Sequence, residues 1–262
     1  MRFAWLLWLV FLTGCATPAQ QFRAQAATLG WIEMDVHTDQ FEHRLFYNGK
    51  TGKQWHVYLD GDGTPWIRQR WIAEDPTARN PLILQLMSKD PFPAILLGRP
   101  CYYGLQTSPH CQSKFWTSHR YSREVISSIV AVLQQCIAQY QIEHLVLIGY
   151  SGGGAIAALI AGHISSLDTL VTLAANLNVK AWSEFHAYPT LSDSLDPVED
   201  AFINPKTRQL HFAGADDTNV PSFVIESFVK TQKNAEFHEL EHIDHAGWKR
   251  VWDDILKMIA EE

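Results

Sequence analysis

Residues 145–162 read LVLIGYSGGGAIAALIAG: a continuous apolar run, one serine set among glycines, and a second apolar run. The first run is short and reads as a strand buried on both faces, and the second reads as a helix. A strand that feeds a helix through so few residues must turn sharply. The tight passage explains Gly149, Gly152, Gly153 and Gly154, because neighbouring chain has to pass close to the turn. Gly149, Tyr150, Ser151, Gly152 and Gly153 fit the spacing GxSxG in the strand–turn–helix setting that lifts a serine hydroxyl into the open. At the N-terminus of the following helix, backbone N–H groups face any negative charge that develops beside that hydroxyl. The plain alternative is a glycine turn whose serine only caps a helix.

The rest of the chain alternates in the same way. WIEMDVH, HRLFYNG and QWHVYLDG read as strands, and the turn formers NGKTGK suggest a hairpin that opens the sheet. PLILQLMSK has helical spacing, PAILLG is a short buried strand, and SREVISSIVAVLQQCIAQY repeats apolar residues at three and four. DTLVTLAA, RQLHFAG and AEFHELE follow as strands, with helices expected over 221–232 and 248–259. Alternation of this kind implies an α/β fold: a mostly parallel sheet with an antiparallel start and helices on both faces. Residues 176–206 interrupt the rhythm and are expected to form a small cap insertion above the sheet.

A serine hydroxyl is a weak nucleophile unless a base takes its proton and a third group holds that base. Downstream of RQLHFAG comes GADDTNVP, and downstream of AEFHELE comes HIDHAGW, giving the chain order serine, acid, histidine. With these three motifs and this order of elements the sequence resembles the α/β-hydrolase superfamily. The resemblance implies Ser151 as nucleophile, His245 as general base and Asp217 as the acid that orients it, from the pattern GxxDxxVP at Gly214, Asp217, Val220 and Pro221. Asp216 is the rival acid and His242 the rival base. The oxyanion hole of such a protein would use the N–H of Gly152 and one from YLDGDGTPW, where Asp60 stands in place of a family histidine and Asp62 is the second donor. No cofactor is implied.

Two other motifs compete. DGDG as a calcium loop fails on its ligands, with Pro65 at the sixth position and Trp71 at the twelfth. His238, Glu239 and His242 spell HExxH, a zinc protease pattern that works only on a helix. In a strand the two histidines would stand about 13 Å apart at roughly 3.3 Å per residue, too far for one zinc ion. The assignment is therefore no metal site.

The first residues, MRFAWLLWLVFLTGC, join Arg2 to an apolar run over 3–12 that is too short to span a bilayer, which takes roughly 20 apolar residues. Leu12, Thr13, Gly14 and Cys15 resemble the bacterial lipoprotein box, which implies a signal peptide over 1–14, lipidation at Cys15 and sorting to the outer membrane. Residues 15–30 then read as a tether and 31–262 as the hydrolase domain. Export makes a Cys101–Cys111 disulfide expected across RPCYYGLQTSPHC, with Cys136 a buried thiol. Trp66, Tyr102, Tyr103, Trp116 and Trp182 fall in loops above the sheet, as core or as pocket lining. A net charge of -7 offers no basic surface to nucleic acid. The expected protein is an exported, lipid-anchored serine hydrolase of small carboxylic esters. A peptidase or thioesterase with the same residues, or a non-catalytic cell-envelope binding module, is the alternative.

Overall fold

The four residues Leu145, Val146, Leu147 and Ile148 are all buried, so the strand before Ser151 is covered on both faces and sits inside a layered fold. The structure is a computed structural model and describes residues 16–261; the expected leader and Cys15 lie outside the described residues. The elements are α1 (Pro18–Thr28), β1 (Ile32–His37), β2 (Glu42–Tyr47), β3 (Gln54–Leu59), β4 (Trp66–Ile67), β5 (Trp71–Ile72), α2 (Leu82–Met87) and β6 (Ala94–Leu97). There follow α3 (Arg123–Tyr140), β7 (His144–Tyr150), α4 (Gly152–Ala161), β8 (Leu167–Leu173), α5 (Val179–Phe185), α6 (Pro197–Asp200), β9 (Arg208–Gly214), α7 (Ser222–Val229), β10 (Ala235–Leu240) and α8 (Trp252–Ala260).

Eight strands form one sheet in the order β1-β2-β6-β3-β7-β8-β9-β10. β1 and β2 are antiparallel, as are β2 and β6, and every pairing from β6 to β10 is parallel. The parallel strands therefore end on one edge, where β3, β6, β7, β8, β9 and β10 all deliver their following loops. On one side of the sheet α3 packs on α4, and on the other α2 and α8 meet through the turn Gly247–Arg250.

Two expectations are corrected. NGKTGK does not close a hairpin: β6 lies between β2 and β3, and the antiparallel start is the β1–β2 pair joined through Thr38 and Phe41. The stretch read as a tether holds α1, begun by the capping box of Thr17 and Gln20 with Pro18 in its first turn. This helix buries Ala19, Phe22 and Ala26, and the Phe22 ring stands 4.5 Å from Tyr103 and 5.3 Å from Phe46. Spacing of three and four residues places those side chains on one face, so the segment is part of the core.

Cys101 and Cys111 are joined by a disulfide with their Cα atoms 5.5 Å apart. Cys136 is free and buried on α3, and burial pushes its thiol up to about 12. Residues 176–206 carry α5 and α6, and Trp182 and Tyr188 of this segment face the cavity over Ser151.

Candidate active site

Ser151 sits between β7 and α4 with φ 51° and ψ −123°, a conformation that L residues rarely adopt. Its N–H donates to Leu173 O and its C=O accepts from Asn176 N–H, so β8 and the loop after it pin the turn. Close approach decides two glycines here. A Cβ at Gly149 would stand 2.5 Å from Gly154 Cα, and one at Gly153 would stand 2.2 Å from Leu59 O.

The loop after β9 delivers Asp217 and the loop after β10 delivers His245. His245 Nδ1 lies 2.8 Å from Asp217 Oδ2, and its Nε2 lies 3.1 Å from Ser151 Oγ. A carboxylate only accepts, so Nδ1 carries the proton and Nε2 is left to accept from the serine hydroxyl. Asp217 is buried, and its Oδ1 accepts from the N–H groups of Asn219 and Val220, both at 2.8 Å. Those bonds aim Oδ2 at the imidazole. The ring is steadied from its other end, where His245 O accepts from Tyr150 OH at 3.0 Å and from Trp248 Nε1 at 2.9 Å. Asp216 points outward, exposed, 3.9 Å from His242 Nδ1. The rival acid and rival base therefore meet each other in solvent and not the serine.

The turn after β3 brings Asp62 against Gly152. Neither the Asp62 N–H nor the Gly152 N–H has an acceptor among the described residues, and both belong to the loop and helix end that flank Ser151. The Asp62 carboxylate packs on Gly152 so closely that a Cβ there would stand 2.1 Å from Oδ1. It accepts from Arg99 at 2.5 Å, from Arg120 at 2.8 Å and from Tyr121 OH at 2.7 Å. Burial raises the Asp62 pKa, but the two guanidinium groups outweigh it and hold the carboxyl well below the usual carboxylate range. Beside it, burial pushes Asp60 up to about 6, against hydrogen bonds from Gly61 N–H and Tyr103 OH. No local pattern announces this clamp, because Arg99 lies two residues past β6 while Arg120 stands three residues before α3; the nearest local signal is an arginine soon after a wholly apolar strand.

HELEH is not a helix. His238 and Glu239 belong to β10, where the His238 ring stacks on Phe212 at 5.0 Å and its Nε2 lies 3.4 Å from Glu236. His242 follows in a turn with φ 59° and is almost wholly exposed. The two histidines do not converge. Of the loop aromatics, Trp66 and Trp182 line the cavity, whereas Tyr102, Tyr103 and Trp116 are buried in the core.

A cavity of about 1060 Å³ opens over Ser151 and His245. Its walls mix Trp66, Trp182, Tyr188, Leu191 and Val220 with Arg79, Arg120, Asn176 and Asn219. An apolar space with a few placed polar groups suits an organic substrate held in one orientation.

The family model described as Serine hydrolase (FSH1) matches residues 99–247, the span that contains Ser151, Asp217 and His245. No curated protein matches the sequence. Among solved structures, an esterase of Pyrococcus furiosus is similar with a TM-score of 0.62 at 12% identity, covering 95% of each chain. A bacterial membrane phospholipase A is similar with a TM-score of 0.60 at 14% identity, over 94% of this chain and 92% of that one. The proline iminopeptidase of Mycobacterium smegmatis is similar with a TM-score of 0.62 at 12% identity, over 87% and 96%. At such identities the likeness shows the α/β-hydrolase fold.

Proposed function

The chain belongs to the serine hydrolase (FSH1) family, and on that premise we propose that it hydrolyses carboxylic esters through an acyl-enzyme on Ser151. The observation that carries this reading is the unbroken chain from Ser151 Oγ through His245 to the buried Asp217, at 3.1 and 2.8 Å. His245 Nε2 takes the hydroxyl proton as Oγ attacks the ester carbonyl, and Asp217 stabilises the imidazolium that forms. The N–H groups of Asp62 and Gly152 receive the oxyanion. Collapse expels the alcohol, which takes the proton from Nε2; water, deprotonated by the same nitrogen, then releases the acid.

Fluorophosphonate labelling followed by peptide mapping tests the nucleophile. The expected result is one modified peptide carrying Ser151 and none in Ser151→Ala; a labelled residue elsewhere overturns the assignment. An ester panel graded by acyl length, set beside thioesters and anilides, then ranks the substrate. Binding of esters without turnover would identify a binding module.

The same proposal places the chain in a bacterial cell envelope, held by a lipid on Cys15 and facing the periplasm from the outer membrane. What supports it is the lipobox LTGC after the apolar run of 3–12. Cys15→Ser should leave the leader uncleaved or release the protein from the membrane fraction. A processed, membrane-bound mutant would dismiss the lipobox.

A further inference from the structure

Residues 66–72 read WIRQRWI and form a two-stranded ribbon apart from the main sheet, with Trp66 opposite Ile72 and Ile67 opposite Trp71. Soluble proteins normally bury such side chains, yet all four are exposed here, Trp71 by 61%. The tip is Arg68, Gln69 and Arg70, with Arg68 and Gln69 both at positive φ in a tight reversal. The arginines that reach carboxylates among the described residues are Arg23, Arg44, Arg99, Arg120 and Arg208; Arg68 and Arg70 are not among them. The Arg70 guanidinium lies instead over the Trp71 ring, 5.1 Å from its centroid.

The ribbon has a definite place. Trp66 and Gln69 line the mouth of the Ser151 cavity. Tyr188, also exposed, lines it from the cap, and exposed Phe185 ends α5 shortly before it in the chain. Three residues beyond Ile72, the Asp75 carboxylate accepts the N–H of Ala19 at 2.8 Å. The base of the ribbon is thus tied to the first turn of α1, four residues from Cys15.

We propose that the 66–72 hairpin docks on an anionic phospholipid surface and turns the mouth of the cavity toward the bilayer. Tryptophan rings settle at the level of lipid headgroups, and arginines nearby meet the lipid phosphates. On a body of net charge -7 two unpaired cations at one tip also decide which end approaches such a surface. A second copy of the chain is the poorer occupant, because ribbon paired against ribbon would bring like charges together. The lipid proposed for Cys15 would deliver the ribbon to the same surface, but docking requires neither that lipid nor the ester reading.

The packed core runs from Ala19 on α1 to Ile259 on α8, so the chain from residue 16 onward keeps it and can be tested without the anchor. It should sediment with vesicles of equimolar phosphatidylglycerol and phosphatidylcholine, less with phosphatidylcholine alone, and less as salt rises. Arg68→Gln with Arg70→Gln should weaken binding about 30-fold, from two headgroup contacts. Trp71→Ser should weaken it about tenfold. An unchanged thermal midpoint in each variant shows that the fold is kept, and the charge-only variant stands if Trp71→Ser unfolds. Fluorophosphonate labelling of the same samples reports Ser151 separately. Unlabelled protein that still binds vesicles would sink the hydrolase reading and support docking. Labelled protein that stays in the supernatant, variants that bind like the parent, or a dimer that Trp71→Ser splits would each overturn docking.

Discussion

Asp217 and His245 meet at 2.8 Å although they come from loops after different strands, while Asp216, adjacent in sequence, is turned into solvent. A one-residue choice therefore divides a buried orienting group from a surface charge. Asp217→Asn should lower ester turnover by about 10⁴, because the amide can no longer hold the Nδ1–H tautomer. Asp216→Asn should leave turnover close to the parent value. Steady-state kinetics on both variants checks this, and a crippled Asp216→Asn would move the acid by one position. Ser151→Ala should cost about 10⁶ in turnover with an unaltered melting curve.

Asp62→Asn removes the carboxylate shared by Arg99 and Arg120, leaving two buried guanidinium groups facing a neutral amide. Breaking a buried pair by deleting one partner costs about 3 to 5 kcal/mol, because the remaining charge is left without compensation. Urea denaturation at neutral pH should report a loss of that order. A loss below that of an exposed pair, about 1 kcal/mol, would show that water already solvates the clamp.

Asp60 has the opposite sign. Burial raises its folded pKa to about 6 from the ordinary carboxylate value of 3.8. Between those two values the folded state binds more protons than the unfolded one, so stability falls as pH rises through that window. The fall from this group is complete above pH 6 and amounts to about 3 kcal/mol for a two-unit shift. Asp60→Asn cannot ionise and should flatten the stability profile from pH 4 to 6. Parallel slopes for parent and variant across that window would place the ionisation elsewhere.

If HELEH is strand and turn, chelators should leave ester turnover unchanged, and His238→Ala should cost only the stacking of its ring on Phe212. Loss of activity on chelation, restored by zinc, would revive the metal reading.

What could be read from the sequence follows burial. β6 and β7 are apolar throughout their middles, so their runs announced themselves, and GxSxG between a strand and a helix pointed to Ser151. Chain order pointed to the loops after β9 and β10, and the choice of Asp217 and His245 within them came from the α/β-hydrolase resemblance. The α1 helix was also legible and was missed: Thr17, Pro18 and Gln20 spell a helix start, and Ala19, Phe22 and Ala26 keep helical spacing, but the glutamines around them mask the apolar face. The ribbon at 66–72 was not legible, since strands of two residues carry too little alternation to register as a period. The clamp on Asp62 depends on the loop after β3 meeting both ends of the long β6–α3 connection, which no local pattern encodes.

Because α1 is packed into the body, the described chain is tied to the core from its first helix onward. Two residues separate Cys15 from a helix whose side chains are locked into Tyr103 and Phe46, and Tyr103 in turn touches Asp60. A flexible lead would let a catalyst sweep a hemisphere of solvent. An anchor two residues from a packed helix would confine it to a thin layer of space and to one attitude within that layer. If Cys15 is held at a surface, encounter with substrate becomes a search in two dimensions, governed by what diffuses laterally beneath the cavity and not by concentration in the surrounding fluid.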